Sequence, residues 1–91
     1  MLSILHLIWD SWNVAHIARH EVTPDEVEEV CQSDSLVQEG KKSRLLILGF
    51  TKMGRMLTVI LDREGEGIYY PVTARSSSKR EKKIYKDEKR R

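Results

Sequence analysis

The chain has 91 residues, 40 % hydrophobic and 33 % charged, which suits one small globular core and excludes a second, because a chain this short buries only about 60 to 65 % of the surface its unfolded form exposes. A lone cysteine, Cys31, excludes an internal disulfide and favours a reducing cytoplasm over a bridge-dense secreted fold. Net charge is +2, but residues 1–74 hold seven basic and eleven acidic side chains against nine and three in residues 75–91, so the two parts carry −4 and +6; a polyanion would be drawn to the C-terminal end, which makes nucleic acid a candidate partner.

In chain order, residues 2–9 alternate imperfectly, Leu2, Ile4 and Ile8 against Leu5, Leu7 and Trp9, and predict a strand buried on both faces. This stretch has no basic leader or small-residue cleavage site, and it is shorter than the roughly 20 residues that cross a bilayer, so no membrane or targeting role is expected. Asp10 is placed to cap a helix from Ser11 to about His20, with Trp12, Ala15 and the stem of Arg19 expected inward. Thr23-Pro24-Asp25-Glu26 opens a second helix with a capping box, a proline in the first turn and two acids at the positive dipole end. Val27, Val30 and Cys31 form its apolar stripe, Glu28 and Glu29 are expected to face water, and Ser33-Asp34-Ser35 ends it.

Leu36-Val37 suggests a short strand. Three longer ones follow as an antiparallel meander: Arg44 to Phe50, Arg55 to Leu61 and Ile68 to Ala74. Pleat parity sets Leu45 and Ile47 with Leu57, Val59 and Leu61 on one face, where the two helices can lie. Pro71 requires the third meander strand to be an edge or to be bulged. Ser78-Lys79-Arg80-Glu81 is another capping box and predicts a basic helix to about Lys89, anchored by Ile84 and Tyr85. The fold class is α+β: an antiparallel β meander packed on two N-terminal helices, with a basic C-terminal helix. One domain spans residues 1–91, with 1–75 as its body and 76–91 as the terminal helix.

His16 and His20 stand four apart on the first helix, a spacing at which two imidazoles can meet one metal ion. The motif that uses this spacing places a glutamate where this chain has Ile17, and no third ligand is apparent, so no metal and no cofactor is expected. A packing role and an acid, base or phosphate-contact role both stand for these histidines. Arg55 and Arg75 begin and end neighbouring antiparallel strands, which brings them to one edge of the sheet, whereas Arg44 falls at the other end. Cleaving RNA without a metal requires a base near the 2′-hydroxyl, cations for the charge growing on phosphorus and a proton donor for the leaving oxygen. Histidine with arginine and lysine can supply these, and Tyr85 or Glu81 can share the work. There is no glycine-rich phosphate loop, Cys-x-x-Cys pair or serine elbow, and Cys31 reads as a small hydrophobe.

The ordered blocks Trp9-Asp10, Asn13, His16, Arg19-His20, Val22-Thr23-Pro24, Glu26-Val27, Arg44, Gly49, Thr51, Gly54-Arg55, Thr73-Ala74-Arg75, Glu81 and Tyr85 resemble the BrnT family of toxins over nearly the whole chain. The resemblance implies a RelE-like fold, ribonuclease activity that inhibits translation, and a BrnA-like antitoxin through which alone the complex binds operator DNA. Carried onto this chain, it places a basic edge at His20, Arg55, Arg75 and the C-terminal helix around Lys79, Arg80 and Tyr85. Together with the reading of the residues, a catalytic role is expected for His20, Arg55, Arg75 and Tyr85, and RNA contact for His16, Arg44, Lys79, Arg80, Glu81 and Lys83. Where the family usually has glycine after its basic-histidine pair this chain has Glu21, at a cost of roughly 1 kcal/mol if the backbone is left-handed. The favoured reading is a metal-independent endoribonuclease of a type II toxin-antitoxin pair. The alternative is a non-catalytic nucleic-acid- or protein-binding module of the same fold.

Overall fold

In the computed structural model, which describes residue 4 and residues 6–90, the chain runs β1 (His6–Leu7), α1 (Ser11–Ala18), α2 (Pro24–Gln32), β2 (Leu36–Glu39), β3 (Arg44–Phe50), β4 (Met56–Gly65), β5 (Ile68–Ser76) and α3 (Lys79–Lys89). Leu2, Ser3 and Leu5 of the expected opening strand lie outside the described residues. What remains of that strand is short, with Leu7 buried and His6 exposed rather than both faces covered.

The strands form one sheet in the order β1-β5-β4-β3-β2. The meander pairs antiparallel, and β1 adds in parallel to Ile68 and Tyr69. Thr51 and Arg55 close the β3–β4 connection through their backbones, with Gly54 at φ 87, a conformation that favours glycine. Pro71 sits beside a bulge: Ile60 opposes Thr73 and Leu61 opposes Pro71, which leaves Val72 as the extra residue. β1 reaches only the start of β5, so Pro71 lies where the strand has become an edge and its missing N–H interrupts no ladder.

One face of the sheet carries Leu45, Ile47, Leu57, Val59, Leu61 and Ala74, and Ile17, Val22, Val27 and Val30 close over it in a single core. Burying each such side chain contributes about 1.5 to 3 kcal/mol. Gly49 lets α2 approach closely, since a Cβ there would stand 3.0 Å from Ser33 Oγ and from Ser35 Cβ. The other face carries Leu48 and Thr58, both buried, and meets α3 where Phe50 packs edge-on against Tyr85. No helix among the described residues is long and apolar enough to cross a membrane.

All three helices open with capping boxes: Asp10 with Asn13, Thr23 with Glu26, and Ser78 with Glu81. The first of these overturns the expected inner face of α1. Trp12, Ala15 and Arg19 are exposed, and the buried positions are Asn13 and Ile17. The reason is that Asn13 Nδ2 donates to Ile8 O at 2.9 Å and to Pro71 O at 3.2 Å, while Asn13 Oδ1 accepts from Asp10 N. A fully satisfied amide is cheap to bury, so it takes a core position that hydropathy reserves for Trp12, and Ile17 follows one turn on.

The expectation that Glu28 and Glu29 face water is also corrected. Both are half-buried: Glu28 accepts from Trp9 Nε1 at 3.0 Å, and Glu29 accepts from Lys52 N at 3.1 Å. Cys31 lies against the core, where lost hydration, with the charge of Glu28 second, pushes its thiol up to about 12.

Candidate active site

Antiparallel pairing sets Thr58 opposite Arg75 and Leu57 opposite Ser76, so the start of β4 and the end of β5 share an edge. Arg75 reaches from that edge to α3 in a two-pronged ion pair, Nη1 to Glu81 Oε1 at 2.6 Å and Nη2 to Glu81 Oε2 at 2.8 Å. This is the fork geometry that arginine offers a carboxylate. Oε1 also closes the α3 capping box by accepting from Ser78 N at 2.8 Å. The Arg75 guanidinium, with Ser78 second, holds the Glu81 carboxyl down at about 2, and Glu81 in turn raises the arginine. Arg75 is therefore aimed by α3, yet 39 % of its side chain is exposed. Its Nε–H and one Nη2–H have no protein partner among the described residues.

Arg55 lies at the same edge but is engaged differently. Its five donor contacts go to Ser76 Oγ twice, Glu21 O, His20 O and Glu26 Oε2. They match the five N–H groups of a guanidinium. Arg55 thus ties the α1–α2 connection to the end of β5. The chain there turns through Glu21 at φ 59, with Val22 N donating to Ile17 O and Glu21 N to Ala18 O. This is a Schellman closure with Val22 and Ile17 as its apolar contact.

His20 precedes that turn, and its ring meets His16 edge-on at 5.6 Å. His16 Nε2 shares a hydrogen bond of 3.1 Å with Thr73 Oγ1. Thr73 is two residues before Arg75 on the same face of β5, roughly 7 Å along the strand. His16, His20, Arg55, Arg75 and Glu81 therefore gather at one edge. Among the described residues no three His, Cys, Asp or Glu side chains cluster as a metal would require.

The other candidates lie elsewhere. Arg44 pairs with Asp62 at the far end of the β3–β4 ladder. Tyr85 turns toward the α2–β2 connection, its hydroxyl donating to Asp34 O at 3.0 Å. With Phe50, Met56 and Lys86 it lines a groove of about 490 Å³. Lys79, Arg80 and Lys83 are exposed on α3, and Lys83 pairs with Asp87. Sequence reasoning did not assign Thr73 or Ser76, whose hydroxyls fix His16 and Arg55. Their positions flanking Arg75 were the available signal.

The comparisons bear on this geometry. No protein-family model and no curated protein matches the chain. A solved structure does: the 1.1 Å crystal structure of the Brucella abortus ribonuclease toxin BrnT superposes with a TM-score of 0.65 at 25 % identity, over 80 % of this chain and 96 % of that one. The chain has a BrnT-like fold. The cluster of histidines and arginines is thus carried on a BrnT-like sheet, built from the ends of α1, β4 and β5 and the start of α3.

Proposed function

We propose that this chain is a ribonuclease toxin, a metal-independent endoribonuclease that inhibits translation in the cytoplasm until a BrnA-like antitoxin blocks it. The observation that carries the reading is the meeting of two imidazoles and a partly exposed, rigidly aimed arginine at one sheet edge. The likeness to a ribonuclease toxin supports it.

In this reading the scissile phosphate sits over Arg75, whose two unused N–H groups meet the non-bridging oxygens as charge grows on phosphorus. His20 takes the proton of the 2′-hydroxyl, the 2′-oxygen bonds to phosphorus, and the bond to the 5′-oxygen breaks. His16, steadied by Thr73, returns a proton to that oxygen, which leaves a 2′,3′-cyclic phosphate and a 5′-hydroxyl. Arg55 is a positioning residue that holds the loop carrying His20. Tyr85 anchors α3. Lys79, Arg80 and Lys83 extend the cationic surface along the RNA backbone. Operator DNA is met only through the antitoxin complex.

Expression is expected to arrest growth, and Arg75→Ala or His20→Ala to relieve the arrest while thermal unfolding remains cooperative. On purified RNA, Arg75→Ala should lower the cleavage rate about 10²- to 10³-fold, and wild-type cleavage should persist in EDTA. Full activity in both variants would end this assignment. The second reading, a binding module without catalysis, draws on Arg55, whose donors are all committed within the fold. It predicts RNA binding without new 5′ ends.

A further inference from the structure

Trp12 has no part in the site described above, although it projects from the same helix. It is 58 % exposed. A lone exposed apolar residue is ordinary, but this indole lies parallel to the His16 ring, with centroids 5.0 Å apart and planes inclined by 6°. His16 in turn meets the His20 ring and Thr73. Three rings thus ascend α1 at four-residue steps, and the middle one, His16, meets the strand that presents Arg75. Asn13 and Ile17 occupy the inner face of α1, which leaves the indole outward. With one face on His16, most of its remaining surface is open to solvent.

The surroundings favour a nucleobase over a protein side chain. Residues 11–20 contain Arg19 and two histidines but no acid; the flanking acids are Asp10, which is engaged by Asn13 N and the Tyr70 hydroxyl, and Glu21 at the far end of the helix, so repulsion of a phosphate backbone is weak along this face. The other large exposed apolar residue of α1, Val14, is two positions away and does not share the face of Trp12, and the exposed Ala15, which does, adds only a methyl group. The contiguous apolar patch that a protein partner would bury is therefore missing around this indole. A flat ring beside a cationic edge is what single-stranded nucleic acid uses as a platform.

We propose that Trp12 is a nucleobase-binding platform: one unpaired base of the RNA stacks on the indole face turned away from His16, a few nucleotides from the bond held at Arg75. The proposal rests on the ribonuclease reading. It gives that site a preference for single-stranded RNA and a register for the chain.

The test uses the full chain and a single-stranded oligoribonucleotide carrying 2′-O-methyl groups, which cannot supply the attacking oxygen, with one abasic residue moved along it. Trp12→Ala is expected to weaken binding of the intact probe roughly 5- to 150-fold, with most of the affinity restored in Trp12→Phe. One abasic position should reproduce the loss in the wild type and add nothing further in Trp12→Ala. Unchanged affinity in Trp12→Ala would make the residue bare surface or a protein contact and overturn the proposal. If the wild type still cleaves unmodified RNA in that case, the ribonuclease reading survives alone. A wild type that neither binds nor cleaves would overturn both.

Discussion

Glu21, like Lys42 and Ser43 in the β2–β3 connection, is a non-glycine residue held at positive φ, and it is the one beside the candidate site. At φ 59 it occupies the left-handed position that closes α1, where a side chain costs about 1 kcal/mol relative to glycine. The conformation is imposed from both sides. Ile17 and Val22 are buried across the turn, and Arg55 holds the carbonyls of Glu21 and His20 at 2.6 and 3.2 Å. Glu21→Gly keeps both carbonyls and removes the strain, so it is expected to stabilise the fold by about 1 kcal/mol, a rise in Tm of roughly 4 to 8 °C, with RNA cleavage unchanged. A fall in Tm would show that the glutamate side chain contributes something the strain conceals.

Among the elements, α3 depends most on one side chain. Glu81 closes its cap and also receives Arg75, and its carboxyl lies at about 2 against an ordinary value of 4.5. The folded value is the lower one, so the stabilisation is complete above about pH 4.5 and is lost as pH falls toward 2. Amide exchange should therefore show α3 loosening in that window ahead of β4, and Glu81→Gln should loosen α3 already at neutral pH and weaken the acid response. Protection of α3 that stays level down to pH 2 would refute this. The cap itself was legible in the sequence, as were the other two caps, the meander and the bulge at Pro71, because each is a local signal with a fixed spacing. So was the shared edge of Arg55 and Arg75, which follows from strand direction alone. The inner face of α1 was not legible, since it depends on a buried amide that meets the backbone of Pro71, 58 residues away. Nor was the engagement of Arg55, whose partners include the backbone carbonyls of His20 and Glu21, which composition does not reveal. Tyr85 was placed on the correct helix, but which turn of α3 faces the arginines depends on the docking of Lys89 and Tyr85 onto Asp34.

For the molecule as a whole, the segregation of charge has a consequence that single contacts do not. Residues 21–40 carry seven acids and no base, while Lys79, Arg80 and Lys83 stand exposed on α3, next to the capping box that aims Arg75. On the proposed ribonuclease reading, a single RNA strand would be guided onto one end of the domain, and each phosphate neutralised there would contribute about 0.7 to the slope of log affinity against log salt. Replacing Lys79, Arg80 and Lys83 together by glutamine should lower that slope by about 2 and weaken binding evenly across sequences. Arg44→Gln is the control at the far end of the sheet, where the guanidinium already faces Asp62, and it should leave the slope unchanged. If the triple variant kept the wild-type slope while Arg44→Gln lowered it, RNA would enter over the opposite end of the sheet. Arg75 and the histidines would then lie away from its path.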